Sequence, residues 1–122
     1  MLFAILCYDS EQVVSSWSKE EDDRAMTKLG AVQAEWAARG KLGPVARLMP
    51  TSAATTLRKG RSQVVMDGPF AETKEQLLGF FVVDCASMDD AIESARELAR
   101  CYSSDGAYEV RPISFFAPGA LG

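Results

Sequence analysis

Two segments of the chain are apolar on alternate residues and on the residues between. In residues 2–8, Phe3, Ile5 and Cys7 point one way and Leu2, Ala4, Leu6 and Tyr8 the other, which predicts a strand buried on both faces. Residues 79–85, GFFVVDC, have the same character and predict a second central strand. Helical spacing takes over between them. Ser18 with Glu21 three residues on forms a capping box, and Glu20, Asp22 and Asp23 place negative charge where the helix dipole is positive. Ala25, Leu29, Val32 and Trp36 then recur on one face with Met26 beside them, and Gly40 supplies the stop. Gly30 inside this helix costs about 1 kcal/mol relative to alanine, so either another element approaches closely there or the cost is tolerated. Short strands are predicted over residues 45–49, 54–58 and 63–66, the last two joined by a Lys59-Gly60 turn. Ser87, with Asp90 at the third position, opens a second helix whose apolar stripe is Met88, Ile92, Ala95, Ala99 and Tyr102. Residues 108–113 read as a closing strand.

The order is β-α-β, a hairpin, and β-α-β. Right-handed crossovers put both helices on one face of an antiparallel sheet, an α+β ferredoxin-like split βαβ sandwich with an inserted hairpin. Two helices cover one face only, yet the two central strands are apolar on both. The simplest cover for the second face is another copy of the sheet, giving a homodimer with a shared core, a dimeric α+β barrel. The alternative is a fold-over within one subunit by the excursion at residues 51–61 and the tail carrying Phe115, Phe116 and Pro118.

Composition narrows the chemistry. A chain of 122 residues is one domain's worth, residues 1–122. Thirteen basic against 17 acidic residues give a net charge of −4, which repels a phosphate backbone and disfavours direct nucleic-acid binding. No run approaches a membrane span. There is no histidine, which removes every mechanism built on an imidazole. Cys7, Cys85 and Cys101 lack zinc or redox spacing and read as reduced thiols of a cytoplasmic protein. The opening residues lack the basic start of a signal peptide. No nucleotide-cradling loop or serine-hydrolase elbow appears. Asp22-Asp23 and Asp89-Asp90 are explained by helix starts, so neither a metal nor a cofactor is expected. Trp17 and Trp36 flank the first helix as packing residues.

One turn concentrates polar chemistry. Residues 67–81 read DGPFAETKEQLLGFF. Asp67, Gly68, Pro69 and Phe70 combine a carboxylate, a residue free to take positive φ, a ring-locked φ and an aromatic, and Glu72, Thr73, Lys74 and Glu75 follow at once. The structural explanation is an ordinary turn with Gly68 and Pro69 shaping it, and Thr73 with Gln76 as a second capping box starting a helical turn. The functional one makes Asp67 the candidate catalytic group, with Phe70, Glu72, Thr73 and Lys74 around a small polar metabolite. Arg111 on the closing strand is either an anion contact or a surface residue.

At these residues the sequence resembles the YCII-related family, in the branch known by its DGPF motif. SAATTLR at 52–58, SMDDAIESARELARC at 87–101 and EVRPI at 109–113 extend the resemblance over nearly the whole chain. It implies a ferredoxin-like fold, dimerisation through the sheet faces and a cleft of mostly unassigned function. Family members resembling this one often stand beside, or fused to, extracytoplasmic-function sigma factors. That association implies a regulatory protein partner and a non-catalytic, protein-interaction role as the alternative to a ligand site. YCII relatives outside the branch are thought to use a histidine-aspartate pair ahead of a Gly-Pro pair. Gly43-Pro44 matches that Gly-Pro pair, but the histidine position falls near Met26, so the dyad does not carry over.

Overall fold

The computed structural model describes residues 1–121. β1 (Leu2–Asp9), α1 (Glu11–Ser15), α2 (Lys19–Ala38) and β2 (Leu42–Arg47) come first. β3 (Thr55–Leu57), β4 (Val65–Asp67), β5 (Gln76–Asp84), α3 (Met88–Ala99) and β6 (Ala107–Pro112) follow. The main sheet has the order β2-β5-β1-β6 with every neighbouring pair antiparallel, the arrangement expected of a split βαβ fold. The chain is thus an α+β protein with two apolar strands, β5 and β1, at the centre of the sheet.

Both predicted helix starts are present. Ser18 Oγ accepts from Glu21 N at 3.1 Å while Glu21 Oε1 accepts from Ser18 N at 3.3 Å, the full capping box. Ser87 Oγ accepts from Asp90 N at 3.2 Å. Ala25, Leu29 and Trp36 of α2 are buried as expected, and nothing lies within 4 Å of a Cβ built on Gly30, so its helix cost is simply tolerated. Trp36 is wholly buried. It meets Phe81 edge-on at 6.1 Å, and its indole N–H donates to Glu97 Oε2 at 2.7 Å, so the ring is buried without an orphaned donor.

Two expectations are corrected, the apolar stripe of α3 and the second capping box. The stripe of α3 is rotated: Ala91, Ser94, Ala95 and Leu98 are buried, while Met88 and Ala99 are exposed. Small side chains bring α3 close to the sheet. Ser94 is legible only as polar in the sequence, yet it satisfies its hydroxyl internally by donating to Asp90 O at 3.1 Å. The expected hairpin is present, with β3 and β4 paired as a separate two-stranded sheet. The second capping box does not form. Gln76 is already the first residue of β5, paired opposite Asp9, and its side chain donates to Ala71 O at 3.1 Å and Thr73 O at 3.2 Å. Finally, α1 was unforeseen. Ser10 caps it, and Glu11 accepts from Thr51 N at 2.7 Å and from Thr51 Oγ1, pinning the turn that precedes the hairpin.

The strand register assigns the two faces. Phe3, Ile5, Phe81, Val83 and Val110 share the helix side and form the core with Leu29, Trp36 and Leu98. Leu2, Ala4, Leu6, Phe80 and Ala46 share the other side and are all half-buried, beside the exposed Glu109 and Arg111. The tail leaves Phe115 84% exposed. Opposite Val82, β2 carries two residues, Gly43 and Pro44, where the register shifts, so the Gly-Pro pair is a β-bulge.

Candidate functional site

A cavity of about 240 Å³ lies between the helix side of the sheet and the α2–α3 layer. It opens where the β1–β5 register shifts: Cys7 pairs with Gly79 and Tyr8 with Leu77, leaving Leu78 as an extra residue. Cys7, Phe81 and Tyr108 form its floor, Leu29 and Met26 of α2 its roof, and Val14, Trp17 and Tyr102 one wall. The volume is a little under the roughly 300–1,000 Å³ common for ligand pockets and above the roughly 150 Å³ that holds a benzene. It is the size of one substituted ring.

Its polar groups are few and mostly uncharged. Burial pushes the Cys7 thiol up to about 12, and burial likewise raises the phenols of Tyr102 and Tyr108 above their usual value. All three are protonated at neutral pH, and the Cys7 thiol donates to Ile5 O at 3.8 Å. Asp9 is the carboxylate at the rim, and it is engaged: Oδ1 accepts from Ser10 N at 2.8 Å and Oδ2 from the Ser104 hydroxyl. The loop carrying Ser104 reaches Asp9 because of Gly106, where a Cβ would stand 2.2 Å from Tyr8 O. Arg47 brings a cation to the rim, 3.6 Å from Asp22 and with an N–H on the Met26 sulfur at 3.6 Å. Such a site can hold an apolar body and donate hydrogen bonds to an acceptor. It has no poised base.

The residues singled out in the sequence lie elsewhere. Asp67 ends β4 on the hairpin, and it is exposed together with Phe70, Glu72, Thr73 and Lys74. Phe70 is 72% exposed with the Arg58 guanidinium 5.0 Å over its ring, and none of these side chains lines the cavity. Gly68 takes φ 102°, its N–H donates to Ala54 O at 2.8 Å, and its carbonyl accepts from Thr56 Oγ1 at 2.8 Å, so the turn closes the base of the hairpin. Pro69 follows it half-buried. Arg111 is on the sheet face away from the cavity, in register with Ala4. Among the described residues, no three His, Cys, Asp or Glu side chains are placed to hold a metal, and no helix is long and apolar enough to cross a membrane. The cysteines are free thiols.

Sequence reasoning treated Cys7, Trp17 and Tyr102 as packing residues and did not gather the cavity. The available signal was aromatic side chains with polar tips at both ends of the helical layer, where leucines would serve a plain core better. Met26, near which the resemblance places a histidine, lines this cavity, as does Val45, which follows the Gly43-Pro44 bulge.

Comparison with known proteins agrees with this architecture. The family model described as the YCII-related domain matches residues 1–117. An uncharacterized protein of Rhizobium meliloti (strain 1021) is 59% identical over 122 residues, spanning 99% of this chain and 98% of the relative. With the match extending from β1 through β6, the chain belongs to the YCII-related domain family.

Proposed function

We propose that the protein binds a ring-sized, mostly apolar small molecule bearing a hydrogen-bond acceptor, in the cavity between the sheet and the helices. The observation that carries this reading is the combination of apolar walls with three half-buried protonated groups, the Cys7 thiol and the Tyr102 and Tyr108 phenols. Binding is favoured over turnover because the chain has no histidine and the rim carboxylate of Asp9 already holds two donors.

The test is a ligand-observed NMR screen of uncharged ring compounds, phenol and acetophenone among them. Wild type should bind members of the set. Met26→Trp, which fills the cavity from α2, should abolish binding, and Tyr108→Phe should weaken acceptor-bearing rings by about tenfold while sparing acceptor-free ones. No binding by wild type, or undiminished binding by Met26→Trp, overturns the reading.

The same proposal includes a homodimer. Leu2, Ala4, Leu6 and Phe80 form a continuous half-buried apolar face, and Glu109 and Arg111 stand one residue apart on it. A two-fold axis beside Val110 would set the acid of one copy against the base of the other, the self-complementarity a two-fold interface requires. Light scattering should give twice the 13.2 kDa chain mass, and Leu6→Glu should halve it. A wild-type monomer would instead leave this face and the exposed Leu57, Val65 and Phe70 of the hairpin to a regulatory protein such as a sigma factor.

A further inference from the structure

A second cavity, of about 250 Å³, adjoins the first and differs from it in chemistry. Arg24, Lys28 and Arg100 line it, and Trp17 and Tyr102 line both cavities, so the stacked pair is their common wall. Three cations gather here although the chain as a whole carries a charge of −4. Among the described residues, no carboxylate lies within ion-pair distance of any of the three. Glu21 also lines the cavity, but its Oε1 is held by the Ser18 N–H in the capping box. Arg24 and Lys28 stand one turn apart on α2, a spacing at which like charges destabilise a helix. An anion between them would remove that cost. Lys28 is also close enough for its charge to bear on the Cys101 thiol at the end of α3.

We propose that Arg24, Lys28 and Arg100 form a site for a free phosphate-type anion, separated from the ring cavity by the Trp17–Tyr102 stack and independent of the ring-binding reading. Arginine pairs suit phosphate because their planar forks meet its oxygens two at a time, and Lys28 adds a point charge. Trp17 and Tyr102 then separate the dry compartment from the wet one, contributing their rings to both.

The probes are inorganic pyrophosphate and phenol, followed by NMR on the indole N–H signals of Trp17 and Trp36. Pyrophosphate should move the Trp17 signal and leave the buried Trp36 signal in place. Arg24→Gln with Arg100→Gln, both at exposed positions, should weaken pyrophosphate at least about tenfold without changing phenol binding. Raised salt should weaken it as well. Arg58→Gln with Arg61→Gln on the hairpin should change nothing. Met26→Trp should remove phenol binding while sparing pyrophosphate. Pyrophosphate that fails to bind, or binds the Arg24→Gln, Arg100→Gln protein as well as wild type, overturns the anion site. Loss of phenol binding in wild type would sink the ring-binding reading instead, so the two failures are told apart.

Discussion

The rings of Trp17 and Tyr102 stack with centroids 5.8 Å apart and planes at 20°, joining the loop before α2 to the residues after α3. Trp17→Ala removes this stack and merges the two cavities. We expect a loss of about 1–3 kcal/mol in urea denaturation, from a half-buried indole and its ring contact. A cost under about 0.5 kcal/mol would show that the pair does not hold the helical layer.

Lys41 is buried at 6% exposure beneath the edge of the core, its Nζ 3.4 Å from Asp90 Oδ1 and 5.8 Å from the Trp36 ring centre. Asp90→Ala strands that ammonium and also removes the acceptor of the Ala86 N–H, which Oδ2 takes at 3.0 Å. Its cost should be about 2–3 kcal/mol. Lys41→Met should cost less, because Asp90 reaches solvent and keeps its backbone donor. The reverse order in denaturant midpoints would contradict this account. Donation by the Ala86 N–H, then the Lys41 charge, holds the Asp90 carboxyl below its usual range. Its stabilisation is therefore complete above the ordinary carboxylate pKa and disappears as pH falls through the depressed folded value.

Alkaline pH should act through the cavity. Burial raises Cys7 from the ordinary thiol value of 9.0 to about 12, and Tyr102 and Tyr108 are raised for the same reason. The folded protein thus keeps protons that the unfolded chain gives up, so stability is complete below about pH 9 and declines as pH climbs toward 12. The melting temperature should fall across that window. Cys7→Ala should flatten the fall, and an unchanged slope would show that this thiol is not the group responsible.

The DGPF turn should matter for shape. Gly68→Ala forces a side chain into φ 102° and should cost about 1–3 kcal/mol, read as a lower denaturant midpoint. Asp67→Ala, at an exposed position, should stay within about 0.5 kcal/mol and leave ring binding intact. A loss of binding in Asp67→Ala would return this turn to the centre of the site.

Residue by residue, legibility followed locality. The capping boxes and N-caps at Ser18 and Ser87 were readable because donor and acceptor lie within four residues of one another. The Thr73–Gln76 box carried the same signature and failed, because a long-range partner, Asp9 on β1, claimed the Gln76 backbone for a strand. The apolar stripe of α2 was readable, but that of α3 was not. Burial of Ser94 depends on a hydrogen bond within the helix that composition does not announce. The candidate site followed the same rule. Asp67, Glu72 and Lys74 stood out because they are close in sequence, whereas Trp17 and Tyr102, or Arg24 and Arg100, meet only after α2 and α3 lie side by side on the sheet.

The sequence alone determined the split βαβ order, the two-faced apolar strands, the helix starts and the absence of imidazole chemistry, because periodicity, capping and composition are local quantities. Tertiary structure alone decided where the cavities are. An extra residue at Leu78, the passage of residues 103–106 past Asp9 at Gly106, and the stacking of Trp17 on Tyr102 each join positions tens of residues apart. No local pattern encodes such a meeting, since it arises from how the sheet and the two crossover helices share one core.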